Sequence, residues 1–161
     1  MLAETFDVVY TSIGTITWLS DLTRWAQQIA KLLSDGGIFY IRDGHPMLYT
    51  LDEMSPELTV RYRYFGDGTP NGWDVDSTYA GDGKLAHAQT YEYPHPISEI
   101  LNALIGAGLT IERFDEGTSL PWQFSPFMEW SDAKDGFVWK DEQNRSKVPL
   151  TYTIVAKKAK R

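Results

Sequence analysis

The stretch Phe6–Asp43, FDVVYTSIGTITWLSDLTRWAQQIAKLLSDGGIFYIRD, constrains the fold more than any other part of the chain. Phe6-Asp7-Val8-Val9-Tyr10 is short, β-branched and aromatic, and nearly continuously apolar, which suits a strand covered on both faces in a parallel sheet. Ile38-Phe39-Tyr40-Ile41 has the same character. Between them Leu22, Trp25, Ile29, Leu32 and Leu33 recur at helical spacing and form one apolar stripe. Ser20 or Asp21 can cap that helix by accepting the free amides of its first turn. Gly36 can adopt the left-handed conformation that ends it, and Gly37 lets the chain turn back toward the sheet. The result is a βαβ unit, whose crossover is right-handed in nearly all sheets of this kind.

Bulk properties narrow the remaining choices. At 161 residues the expectation is one domain, 1–161, large enough for a real core. A net charge of −7 argues against a nucleic-acid partner, whose phosphates it would repel. The absence of cysteine excludes disulfides and thiolate metal sites, and fits a cytoplasmic protein. No apolar run approaches the ~20 residues of a membrane span, and Met1-Leu2-Ala3-Glu4 is no signal peptide, so no membrane partner is expected.

Residues 48–93 read as a β-rich insertion. Leu58–Phe65 alternates with period two, as a half-exposed strand does. Gly66-Asp67-Gly68 and Pro70-Asn71-Gly72 then mark turns. His87–Tyr93 alternates again, with His87, Gln89, Tyr91 and Tyr93 on one side and Ala88, Thr90 and Glu92 on the other. An antiparallel excursion of two or three strands is expected. Arg61 and Arg63 share a face there, either solvated or able to hold a carboxylate. Beyond it, Ser98 is expected to cap a helix carrying Leu101, Leu104 and Ile105, with Gly108 as its stop. Leu109–Phe114 and Leu150–Ala156 read as strands. Between them Glu116–Asn144 reads as loop, crowded with Trp122, Phe124, Phe127, Trp130 and Trp139, and Lys157–Arg161 as a frayed basic tail.

Taken in order, these pieces resemble the second half of a class I S-adenosylmethionine-dependent methyltransferase. FDVVYTS matches that family's fourth strand, Trp-Leu-x-Asp-Leu the start of its next helix, and Leu-Leu-x-x-Gly-Gly the turn into its fifth strand. TYEYPHPISEILNALIGAGLTIERFDE is similar to its last helix and sixth strand, and PLTYTIVAKK to its seventh. The fold implied is α/β, a partial Rossmann-like methyltransferase sheet with strands in the order 4, 5, 7, 6 and an antiparallel β insertion. The cofactor implied is S-adenosylmethionine, and the partner a small-molecule methyl acceptor.

The resemblance also places candidate residues. Thr11, Ser12, Ile13 and Gly14 would line the cofactor's methionine side, with Trp18 walling the pocket; alternatively this is a plain strand-to-helix loop with Trp18 packed on the helix. His45, in Asp43-Gly44-His45-Pro46, would stand beside the substrate as a catalytic general base; the alternative is a turn histidine. Tyr91, Trp122 and Phe127 are the substrate-side candidates. Asp43, His45, His87 and His95 match no metal-ligand spacing, so no metal is expected.

The family's glycine-rich first turn and its ribose-binding acidic residue have no counterpart in this sequence. No G-x-G-x-x-G run occurs, and Gly66-Asp67-Gly68 and Gly81-Asp82-Gly83 follow no buried strand. The expectation is a truncated, C-terminal methyltransferase piece that is inactive alone, with Phe6–Tyr10 as an unpaired edge strand that forms a homodimer. The alternative is a non-catalytic remnant or interaction module that self-associates through the same edge.

Overall fold

The structure is a computed structural model and describes residues 4–74, 77–78, 81–84 and 88–160. Strands β1 (Phe6–Thr11) and β2 (Leu33–Gly44) flank helix α1 (Leu22–Leu32) and pair in parallel, with Val9 opposite Phe39 and Tyr10 opposite Tyr40. Of the two cap candidates it is Asp21 that acts, its carboxylate accepting the Arg24 amide at 2.9 Å. The helix ends before the glycines. Leu33 is already extended and pairs with Phe6, while Gly36, at φ 83°, lies in the bulge before Ile38 pairs with Val8. Gly37 is needed there because a Cβ would stand 2.9 Å from the Ser34 carbonyl and 3.1 Å from that of Phe6. The helix's last carbonyls are held instead by Lys158, whose Nζ donates to Ala30 O at 2.8 Å and Leu33 O at 2.7 Å.

The segment after β2 contributes β3 (Asn71–Asp74), β4 (Ser77–Thr78), β5 (Gly81–Lys84) and β6 (Gln89–Glu92), with β3 antiparallel to β6 and β4 antiparallel to β5. The strand expected at Leu58–Phe65 does not form. Its backbone makes one isolated bridge, Leu51 to Val60, and Arg61 and Tyr62 both donate their amides to Thr50 O. Arg63 turns outward to Asp67 at 2.7 Å, and Arg61 to Asp52 at 3.3 Å. The alternation survives, with Tyr62 and Tyr64 half-buried between exposed neighbours, but it records the wall of a cavity rather than a ladder.

Helix α2 (Ile97–Gly106) starts at Pro96 with no side-chain cap, so Ser98 is a first-turn residue and not the cap. Gly108, at φ 85°, stops it and donates to Ile105 O at 2.9 Å. Strand β7 (Leu109–Gly117) outruns its expected end at Phe114. The aromatic-rich loop contains a hairpin, β8 (Met128–Ser131) with β9 (Gly136–Trp139), turned by Asp135 at φ 46°. Strand β10 (Thr151–Lys158) takes in Lys157 and Lys158, which belong to the sheet rather than to a frayed tail.

The main sheet runs β1-β2-β10-β7, with β10 antiparallel to both neighbours. That is the α/β order expected for the sequence. Helices α1 and α2 cover the same face, where Ala26, Ile29, Ile100 and Leu104 meet Phe39, Ile41, Ile154 and Ala156. The opposite face is open among the described residues: Val8 is 63% and Tyr10 56% exposed, and Tyr10 stacks on Tyr40 with ring centroids 5.7 Å apart. Strand β1 is thus covered on one face, not on two. A second apolar cluster, Leu48, Leu51, Leu120, Met128, Trp139 and Leu150, forms beyond the carboxyl end of β2. Among the described residues no helix is long and apolar enough to cross a membrane.

Candidate functional site

Between the two apolar clusters lies a cavity of about 400 Å³, reached by residues from several elements. The carboxyl end of β2 contributes Asp43 and Gly44, and the turn after β1 contributes Ile16 and Thr17. The segment after β2 adds Tyr49, Tyr62, Tyr64, Trp73 and Glu92, and Phe124 and Tyr152 complete the aromatic lining.

Asp43 is the buried hinge of this arrangement. Its Oδ1 accepts the amides of Gly14 at 2.8 Å and Gly44 at 2.7 Å, while Oδ2 lies 3.5 Å from the Ile16 amide. Burial raises its carboxyl above the ordinary value, and those backbone amides oppose the rise. Gly14, at φ 78°, lets the loop turn its amide back toward the carboxylate. The loop after β1 is thereby tied to the end of β2.

His45 faces elsewhere. It is buried, its Nδ1 accepts the Met47 amide at 3.0 Å, and its ring stands edge-on to Tyr152. Nε2 lies 3.1 Å from Glu116 Oε1 without a well-aimed hydrogen bond. Burial lowers its pKa, and Glu116 opposes that. His45 is not among the residues lining the cavity, although Gly44 and Pro46 on either side of it are.

The acidic and aromatic groups are closely arranged. Trp73 Nε1 donates to Glu92 Oε2 at 2.9 Å, and the Trp73 ring meets Tyr62 edge-to-face at 5.5 Å. Burial raises the Glu92 carboxyl, and the Trp73 bond opposes it. The Tyr152 hydroxyl is fully buried and has no hydrogen-bond partner among the described residues. Its burial and the nearness of Asp43 hold the phenol well above its usual range. Gly44 makes room for Tyr49, since a Cβ there would stand 2.8 Å from the Tyr49 Cζ. The strand-to-helix connection after β6 is fixed by Tyr93 N donating to Thr17 O at 2.7 Å and His95 Nε2 donating to Leu19 O at 2.6 Å.

The other residues singled out from the sequence are more scattered. Thr11 is buried and its Oγ1 accepts the Trp25 indole at 3.3 Å; Ser12 is exposed and bonds Thr15. Ile13 and Gly14 are partly buried, and Trp18 is 51% exposed at the end of the turn Ile16–Trp18. Tyr91 is 49% exposed, on the face of β6 opposite Thr90 and Glu92, which line the cavity. Trp122 packs against the second cluster and Phe127 is partly buried, whereas the aromatic from this region that reaches the cavity is Phe124. Among the described residues no three histidines or carboxylates gather as metal ligands, and His87 lies outside them. Sequence reasoning missed Tyr49, Tyr62, Trp73 and Tyr152; the one available signal was the alternation that set Tyr62 and Tyr64 on a common side.

No protein-family model matches the sequence, and no curated protein does. Solved structures match over nearly the whole chain. An S-adenosylmethionine-dependent methyltransferase from Mesorhizobium loti is 18% identical with a TM-score of 0.57, over 96% of this chain and 62% of its own. One from Clostridium acetobutylicum is 10% identical with a TM-score of 0.56, over 99% and 61%. The glycopeptide N-methyltransferase MtfA, in complex with S-adenosylmethionine, is 12% identical with a TM-score of 0.51, over 100% and 60%. The chain therefore has the S-adenosylmethionine-dependent methyltransferase fold, spanning about three fifths of the length of the structures it matches.

Proposed function

We propose that this chain, with its part of the methyltransferase fold, supplies the acceptor side of methyl transfer to a small molecule. The observation that carries this is the cavity at the carboxyl ends of β1 and β2, where α/β sheets bind their ligands. The cofactor's methionine side has a fitting neighbour: beside Gly14 nothing stands within 4 Å of where a Cβ would be, and Ser12 is exposed. Thr11, Ser12, Ile13 and Gly14, with Trp18 beyond them, would hold that end of S-adenosylmethionine, which supplies an electrophilic methyl group when bound. The chain's own residues orient the acceptor and exclude water through the aromatic lining. Asp43 and Glu92, both raised by burial, replace His45 as the groups positioned to take an acceptor proton.

The sequence carries no G-x-G-x-x-G run, so the chain is proposed to be inactive alone. The test is a fusion in which the part of the Mesorhizobium loti protein outside the matched 62% is joined ahead of Phe6. Isothermal titration should show S-adenosylmethionine binding to the fusion and none to this chain. A fusion that folds and still takes no cofactor would sink the reading.

A second reading is a self-associating module without methyl transfer. The open sheet face and the edge strand Phe6–Tyr10 favour it, and both readings include a homodimer through that edge.

A further inference from the structure

The cavity's lining is unequal in charge. Among the described residues Asp43, Glu53 and Glu92 line it together with Arg63, which is engaged by Asp67 at 2.7 Å and Thr69 O at 3.0 Å, and His95, whose ring nitrogens meet Glu99 at 3.1 Å and Leu19 O at 2.6 Å. The rest of the wall is largely aromatic, and its best-defined part is Tyr62 edge-to-face on Trp73, with the Trp73 indole held by Glu92. Ring faces and carboxylates both attract cations, the faces through their quadrupole and the carboxylates directly. Strand β10 adds Tyr152 to the lining, and its hydroxyl is fully buried and unpartnered among the described residues. A buried hydroxyl without a partner is costly, and a ligand N–H or oxygen relieves it.

We propose that the cavity binds a small organic ammonium ion, its charge set among Tyr62, Trp73 and Glu92 and a polar atom satisfying Tyr152. This rests on the acceptor-side reading only in making that ammonium the methyl acceptor; the binding itself needs no cofactor. A neutral alcohol of the same shape would lose the charge interactions, and a carboxylate would face three like charges.

The experiment is titration of the chain with benzylamine, benzyl alcohol and benzoate at neutral pH, without S-adenosylmethionine. Benzylamine is expected to bind on the order of tenfold more tightly than benzyl alcohol, and benzoate not at all. Glu92→Gln keeps an oxygen to accept the Trp73 indole, so the fold should persist, checked by its unfolding midpoint, while the preference for the amine disappears. Equal binding of alcohol or benzoate, an unchanged preference in Glu92→Gln, or no binding of any probe at millimolar concentration would overturn the proposal. So would displacement of benzylamine by S-adenosylmethionine, because the cage would then be the cofactor's own. Amine binding beside a fusion that takes no cofactor leaves the cage standing and removes the methyltransferase reading; cofactor binding without amine preference does the reverse.

Discussion

Two polar side chains buried near the carboxyl end of β2 serve opposite ends. Asp43 spends its oxygens on the loop after β1 and still lines the cavity, while His45, two residues on, is enclosed between Met47, Tyr152 and Glu116. A histidine buried with a lowered pKa stays neutral in the folded state while the unfolded chain takes up a proton at its ordinary 6.5. The unfolded state then binds more protons, so stability falls as pH drops below that value and levels off once the folded state is protonated. Denaturant midpoints between neutral pH and about pH 5 should therefore fall more steeply for the wild type than for His45→Gln. Parallel profiles would refute the burial argument. The Asp43-Gly44-His45-Pro46 turn stood out in the sequence, but which of its side chains lines the cavity did not. Strand alternation would set Asp43 and His45, two residues apart, on one side, but β2 ends at Gly44 and the turn that follows takes His45 out of the cavity lining.

At the scale of elements, α1 shows which end signals a sequence carries. Its start was readable because Asp21 acts within the first turn, a contact between residues three apart. Its end was not, because the carbonyls of Ala30 and Leu33 are held by Lys158, 128 and 125 residues distant. Replacing Lys158 by methionine keeps the aliphatic stem and removes the donor. It should cost about 1–2 kcal/mol in chemical denaturation, because two hydrogen bonds from a charged group are lost at a helix end that the dipole makes negative. The same substitution at Lys160 should change little; an equal cost at both positions would rule out the cap. The missed hairpin β8–β9 has the same explanation. Met128-Glu129-Trp130-Ser131 alternates over only four residues, too few to mark a strand by itself, and its pairing with Gly136–Trp139 is set by Met128 and Trp139 joining the second apolar cluster.

The whole molecule has one covered sheet face and one open face. Val8, Tyr10 and Ile38 are exposed large hydrophobic residues on the open face, and β1 stands at the sheet's edge. If the proposed homodimer forms through that edge, Val8→Lys should shift the mass measured by light scattering from dimer to monomer at micromolar concentration. Because Val8 is exposed in the single chain, the monomer's stability should change by no more than about 0.5 kcal/mol. A wild-type chain that is already monomeric would contradict the dimer directly.

The sequence by itself determined the βαβ unit, the strand order and the fold it implies. The βαβ unit follows from local periodicity and a first-turn cap, which act within a few residues, whereas the strand order and the fold are what the resemblance to class I methyltransferases implied. Only the tertiary structure decided that Tyr62, Trp73, Glu92 and Tyr152 share one cavity, that Asp43 rather than His45 is part of its lining, and that Lys158 ends α1. Those contacts join residues tens of positions apart, and their existence depends on which face of each strand is buried, which local sequence leaves undetermined.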